Sequence, residues 1–248
     1  MKLAKDTRPF PFDTTGVRVA MLGYGPSAAQ QAIALREAGN EVAVGTRLGG
    51  LSWVRARKDG FATGSACDVV EGASVIVVLV PDDEQGPVYW HAIEPSVDRD
   101  ALLVTGRALA LATRAFDPRG LDVVFVAANE RSCRVAVHAD ATGRALERAI
   151  SYARAAFGPD VSIATTTIAD EVDAELAELE TRTGGVTAFR DYVETATERV
   201  RLSHAPEEAR LAYYEGLLEL VEQRARRRGP DDDRGTPAPQ AIPTRGMS

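Results

Sequence analysis

The sequence predicts an α/β protein, a Rossmann-type doubly wound sheet followed by an all-α C-terminal domain. Three features carry that expectation. Residues Val17 to Thr46 read as strand, glycine turn, helix and strand. Residues Ser74–Val80, SVIVVLV, form an unbroken apolar run of the kind found in parallel strands covered on both faces. Apolar strand-like runs then alternate with helical spacing until about residue 160, and from about Ile168 only helical patterns remain.

In the first unit, Val17–Leu22 is short, apolar and rich in β-branched residues, and Gly23-Tyr24-Gly25 interrupts it. Ala28–Glu37 follows helical spacing, and Val42–Val44 resumes a strand. Such a unit suits pyrophosphate. Gly23 permits a tight turn, Gly25 lets backbone approach a ligand, and the helix start offers free N–H groups and the positive end of its dipole. Ala28 fills the third position of the G-x-G-x-x-G/A pattern, where only small size is required. The same turn also occurs as a plain bend in sheets that bind nothing, so the context of the motif matters more than the motif.

The 248 residues, 45% of them apolar, suffice for a substantial core in one large or two modest domains. A formal net charge of −7 argues against a nucleic-acid binder, which usually presents a basic face. Cys67 and Cys133 are far apart and outside any C-x-x-C pattern, which suggests a reducing compartment and no zinc site. No apolar run reaches membrane-spanning length, and the opening MKLAKDTRPFPFD lacks the apolar core of a signal peptide. A cytoplasmic protein without membrane or nucleic-acid partners is therefore expected.

Residues 1–15 read as a lead-in broken by Pro9 and Pro11 and pinned by Phe10 and Phe12; residues 16–160 as the nucleotide-binding domain; 161–228 as the helical domain; and 229–248 as a polar, proline-rich tail without fixed structure. After the second strand stands Thr46-Arg47-Leu48-Gly49-Gly50-Leu51-Ser52-Trp53. An acid here would hold a ribose 2′-hydroxyl, whereas a cation suits a 2′-phosphate. Arg47 and Ser52 with no acid favour NADP over NAD, although a solvated surface arginine has the same appearance. The run Ser74–Val80 ends in an acidic loop, Pro81-Asp82-Asp83-Glu84-Gln85, at the strand end where open α/β sheets bind ligands. Further strands are expected at Leu102–Thr105, Val123–Ala127 and Val135–Val137, with a helix from about Thr142 to Ala156. The C-terminal helices are expected at Asp170–Thr181, Thr187–Leu202 and Pro206–Arg228, with Gly184-Gly185 as a break and basic Arg224–Arg228 complementing a helix dipole.

Gly23-Tyr24-Gly25, the Arg47 to Trp53 loop, Val80–Gln85 with Val88-Tyr89, Ile93-Glu94-Pro95, His138–Leu146 and Ala212–Leu220 resemble ketol-acid reductoisomerase in order and spacing, over roughly residues 17–225. That resemblance implies an NADPH- and magnesium-dependent enzyme of branched-chain amino-acid synthesis with interlocking C-terminal helices. It places Gly23, Tyr24, Gly25, Pro26, Ser27, Arg47, Ser52, Val80, Pro81, Asp82 and Gln85 at the cofactor. It further implies two magnesium ions held by an Asp and a Glu one helical turn apart together with two later Glu residues, often from the partner subunit. Glu215 and Glu219 match the later pair, at i and i+4, and are the candidate catalytic carboxylates. Within DEVDAELAELE the register puts Glu175 at the Asp position, with Glu178 after a one-residue slip, or Leu179, at the other; a solvated acidic helix face reads the same way.

The chain departs from the family where its chemistry is densest. A His-Gly-Phe segment after the fifth strand is replaced by Gly106-Arg107-Ala108, and an Ala-Pro-Lys segment after the sixth by Ala127-Ala128-Asn129. Arg107 and Arg131 lie close by and offer positive charge, or are simply exposed. The likeness also ends ahead of the family's final helices and its substrate-contacting serine. The expectation is an NADPH-dependent oxidoreductase acting on a 2-keto acid, ketol or imine; the alkyl migration, which needs two metals and a base, is the step that the residues support least. A non-catalytic NADP-binding partner subunit and a true ketol-acid reductoisomerase remain alternatives. A homodimer through the C-terminal helices is expected, since three helices are too few to bury their own apolar faces.

Overall fold

The computed structural model describes residues 16–118, 120–129, 132–203 and 208–228. The expectations for the lead-in with Phe10 and Phe12, for Arg131, for Pro206 and for the tail lie outside the described residues. Strands β1 (Arg18–Leu22), β2 (Glu41–Gly45), β3 (Ala62–Gly64), β4 (Val75–Val78), β5 (Leu102–Thr105), β6 (Asp122–Ala128), β7 (Ser132–Ala139) and β8 (Ser162–Thr165) form one sheet in the order β3-β2-β1-β4-β5-β6-β7-β8. All neighbours are parallel except β6 and β7, a hairpin of antiparallel strands with a register irregularity at Val123/Val124. The order reverses between β1 and β4, which makes the carboxyl ends of these strands the natural ligand crevice.

The helices are α1 (Pro26–Glu37), α2 (Leu51–Lys58), α3 (Ala66–Val70), α4 (Asp82–Val88) with a π-helical continuation Tyr89–Ile93, α5 (Leu109–Ala112), α6 (Ala145–Phe157), α7 (Ile168–Thr183), α8 (Val186–Arg201) and α9 (Glu208–Arg228). Side chains alternate across each strand, so the sheet feeds two cores. On one face Val19, Met21, Val124 and Val126 meet α1 and α6 through Ala32, Leu35, Ala149 and Tyr152. On the other, Ala20, Leu22, Val123 and Phe125 belong to a cluster that also holds Leu109 of α5, Leu176 of α7, Phe189 and Val193 of α8, and Leu217 and Val221 of α9. The C-terminal helices thus share a core with the sheet. Much of their apolar surface packs against the sheet within the chain, while Tyr192 of α8 and Leu202 after it stay exposed.

Several boundaries differ from expectation for identifiable reasons. The sheet runs to Thr165, past the anticipated domain end at 160, because β8 pairs with β7. The acidic loop after β4 is the first turn of α4, with Asp82, Asp83 and Glu84 placed where carboxylates complement the helix dipole. Gly216 sets the packing of α9: a Cβ there would stand 2.6 Å from the Thr113 carbonyl oxygen.

At the far, amino-terminal end of β6, the fully buried Asp122 accepts from Arg148 Nη1 at 2.7 Å, from the Thr142 backbone N–H at 2.9 Å and from Thr142 Oγ1 at 2.6 Å. Burial alone raises the pKa of Asp122, but these hydrogen bonds outweigh it and hold the group below its usual range. This cluster anchors the turn into α6.

Candidate nucleotide cleft and an arginine–carboxylate centre

Between β1 and α1 the chain turns at Gly23, whose φ of +94° is disfavoured for residues with a side chain and whose added Cβ would lie 2.8 Å from the Leu79 carbonyl oxygen. Gly25 is the N-cap of α1, exposed and extended, with open space where a Cβ would be. No side chain caps α1, Pro26 occupies its first turn, and no acid lies there. The first N–H groups of a twelve-residue helix are therefore left for an anion, at the crevice where the strand order reverses. Ser27 is exposed on this turn and accepts from Gln31 at 3.1 Å. These features fit a dinucleotide pyrophosphate. Tyr24, expected at the cofactor, instead turns inward: its ring is buried, packs edge-on against Phe61, and its hydroxyl donates to Asp59 at 2.8 Å.

At the end of β2, Arg47 is exposed in a turn closed by the Gly50 N–H to the Arg47 carbonyl. Among the described residues its guanidinium makes no ion pair, and no acidic side chain occurs from Thr46 to Ser52. Ser52, half-buried, sits in the first turn of α2. The arrangement suits a 2′-phosphate. At the end of β4, half-buried Val80 and exposed Pro81 lead into α4. Gln85 faces the interior, 1% exposed: its amide donates to the Val80 carbonyl at 3.4 Å, and its Oε1 accepts from Thr105 at 3.1 Å. It ties the β4 loop to the end of β5 rather than reaching a ligand directly.

The densest chemistry lies one strand further on. Thr105 Oγ1 accepts the Arg107 N–H at 3.1 Å, which orients the residue that follows β5. The Arg107 guanidinium donates from Nε to both Asp82 oxygens at 3.1 and 3.2 Å and from Nη2 to Asp82 at 3.1 Å. Its Nε also lies 3.8 Å from Glu175 Oε2. Glu175 reaches from α7 to accept the backbone N–H groups of Ala108 at 2.8 Å and Leu109 at 3.2 Å, capping α5. Burial raises the pKa of both Asp82 and Glu175, against the opposing pull of Arg107 and, for Glu175, of the Ala108 N–H. Tyr213 of α9, buried beside Asp82 and Arg107, is likewise pushed above the ordinary phenol range, first by burial and then by Asp82. Asp83, next along α4, accepts from the Tyr214 hydroxyl at 3.3 Å.

The expected magnesium ligands are not brought together. Both oxygens of Glu175 already accept backbone N–H groups. Glu178 is exposed and pairs with Arg182 at 3.6 Å. Glu215, half-buried, accepts from Arg201 at 2.6 Å, and Glu219 is exposed. Among the described residues no three His, Cys, Asp or Glu side chains are grouped to hold a metal. A divalent ion on Glu175 would also meet the guanidinium, and two unit positive charges about 4 Å apart repel by roughly 4 kcal/mol near a protein surface. The residues present do not fit the ion that the resemblance implied. Arg107 and Glu175 were visible in sequence as an arginine after a strand and an acid on a helix. Their approach across 68 residues of sequence had no local signal.

Comparison with known proteins agrees with this geometry. Residues 14–160 match the model of the acetohydroxy acid isomeroreductase NADPH-binding domain. An NADH-preferring ketol-acid reductoisomerase from an uncultured archean is 23% identical with a TM-score of 0.60; the alignment covers 82% of this chain and 66% of that protein, just under two thirds of its length. A semialdehyde dehydrogenase NAD-binding protein from Cupriavidus necator is 17% identical, with a TM-score of 0.57 and coverage of 82% and 81%. A 3-hydroxyisobutyrate dehydrogenase from Salmonella typhimurium is 11% identical, with a TM-score of 0.52 and coverage of 83% and 79%. The last two share the fold, whereas the domain match spans more than half of the chain and coincides with the glycine turn, the Arg47 turn and the β4 loop. The chain belongs to the acetohydroxy acid isomeroreductase, or ketol-acid reductoisomerase, family and carries that family's NADPH-binding domain.

Proposed function

We propose that this protein is an NADP(H)-dependent oxidoreductase that reduces a 2-keto acid, ketol or imine, and that it does not carry out the alkyl migration. The observation that carries this reading is the pairing of Arg107 with Asp82 and Glu175 at the carboxyl end of β5, on the same sheet end as the glycine turn and the uncapped start of α1. NADPH, when bound, supplies the hydride. The chain's own contribution is positional and electrostatic. Free N–H groups at the start of α1 hold the pyrophosphate, and the open face of Gly25 lets backbone approach it. Arg47 and Ser52 select the 2′-phosphate. Gln85 and Thr105 fix the floor between β4 and β5, so that Arg107 is held in one orientation.

Isomerisation asks for a metal-polarised ketol and a base, and Glu175 is committed to Ala108 and Leu109. Glu215 and Glu219 remain candidate catalytic carboxylates only if Glu215 is released from Arg201, for example by a second subunit. We accordingly extend the proposal to a homodimer through α7–α9, checked by sedimentation at micromolar concentration; a monomer there removes that part.

Calorimetric titration with NADPH and NADH, each with magnesium and with chelator, tests the main reading. Tighter binding of NADPH, unchanged by chelator, is expected. The NADH preference of the archaeal neighbour makes the opposite order the informative failure, and binding of neither nucleotide would favour a non-catalytic partner subunit.

A further inference from the structure

We infer that Arg107 is the built-in cation of this centre, standing in for a metal ion and anchoring the carboxylate of the acceptor. This rests on the proposed reductase reading for the nature of the acceptor, but not for the claim about the cation. The guanidinium has two neighbours with opposite charge and uses only part of its donor set on them. Nε and Nη2 are turned to Asp82, and Nε also faces Glu175. Nη1 has no partner among the described residues, and the side chain is 35% exposed whereas Asp82 and Glu175 are 14% and 10% exposed. A planar fork anchored along one edge and open along the other is preorganised for a second carboxylate.

The position supports the same role. Arg107 follows the carboxyl end of β5, next to the β4 strand whose loop continues the nucleotide crevice. Its backbone N–H is fixed by Thr105, and the chain immediately beyond it is capped by Glu175, so neither rotation of the residue nor drift of α5 is free. A metal ion at the same place would need the Glu175 oxygens that Ala108 and Leu109 now occupy. The Nη1 edge of Arg107 thus offers an open, positively charged donor edge, with Asp82 and Glu175 held behind it, where a bound cation would otherwise polarise and hold an anionic acceptor. The predicted substrate class is a small 2-keto acid rather than its neutral ester or amide.

The test uses the full chain loaded with NADPH, with pyruvate and methyl pyruvate as probes and Mn2+ as a spectroscopic substitute for magnesium. Electron paramagnetic resonance of Mn2+ titrated with the wild-type protein is expected to show free ion only, with or without NADPH. In thermal unfolding and calorimetry, pyruvate is expected to bind roughly ten- to a hundredfold more tightly than methyl pyruvate, the range of one charge-assisted contact. Arg107→Gln is expected to abolish that difference and Arg107→Lys to restore part of it, which a purely structural role would not do. If Arg107→Gln fails to fold, the lysine variant and the acid-to-ester comparison in wild type still decide the matter. Stoichiometric Mn2+ binding by the wild type overturns the inference, as does equal binding of acid and ester, or an Arg107→Gln protein that still prefers the acid. Failure of NADPH to bind, with the acid preference intact, removes the reductase reading and leaves the cation in place.

Discussion

Two buried arginine–carboxylate clusters lie at opposite ends of the same sheet, and they are built differently. At the amino end of β6, Asp122 and Arg148 are 0% and 6% exposed, and the carboxylate is surrounded by donors from Thr142 and Arg148. Its pKa falls below the ordinary range because those hydrogen bonds outweigh burial. At the carboxyl end of β5, Asp82 and Glu175 are pushed up by burial despite Arg107, and the arginine keeps an open edge. In the first cluster the carboxylate is saturated with donors and serves packing; the second holds its charges at a cost, at the carboxyl end of the sheet, where open α/β sheets bind ligands. Perturbed carboxylates beside a cleft are a recognised mark of functional sites.

The largest expected effect tests the saturated cluster. Arg148→Ala leaves Asp122 buried without its cation and should cost about 3–5 kcal/mol in urea unfolding, the range for breaking a buried pair, with nucleotide affinity of the folded protein unchanged. Glu175→Gln should cost less, about 1–3 kcal/mol, because an amide accepts from one of the two N–H groups and opposes the other with its own donors. The same loss with no change in the acid-to-ester preference would show that capping α5 is all that Glu175 does.

The pH dependence of these two sites should have opposite signs. For Asp122, with its pKa depressed by folding, the stabilisation is present above the unfolded value and is lost as pH falls through the folded one, so the gap between wild type and Asp122→Asn narrows in acid. For Glu175, with its pKa raised by folding, the contribution is full below the unfolded value and declines as pH rises through the folded one, so the gap to Glu175→Gln narrows toward neutrality. Urea unfolding across a pH series measures both, and parallel slopes would erase the distinction between the clusters.

A third arginine supplies the smallest effect on stability. Arg47 is exposed and makes no ion pair among the described residues, so Arg47→Ala should change unfolding by less than about 0.5 kcal/mol. Its effect should appear instead as a loss of roughly tenfold or more in NADPH affinity with NADH unaffected, as expected when one charge-assisted phosphate contact is removed. Equal losses for both nucleotides would place Arg47 away from the 2′-phosphate.

What the sequence determined by itself is the part governed by local pattern. The strands β1, β2, β4, β5, β6 and β7 follow from apolar runs whose residues feed two cores, and the glycine turn follows from Gly23, whose conformation and closeness to Leu79 exclude a side chain. The edge strands β3 and β8 were not legible: Ala62-Thr63-Gly64 and Ser162–Thr165 are too short to show a period, and only pairing with β2 and β7 makes them strands. Tertiary structure alone decided the site. It turned Tyr24 and Gln85 inward, laid α9 across α5 at Gly216, and carried Glu175 from an acidic helix to the N–H groups after β5. An acidic helical stretch has the same pattern whether its carboxylates face water, a metal or a backbone donor, because spacing fixes which residues share a face but not what that face meets.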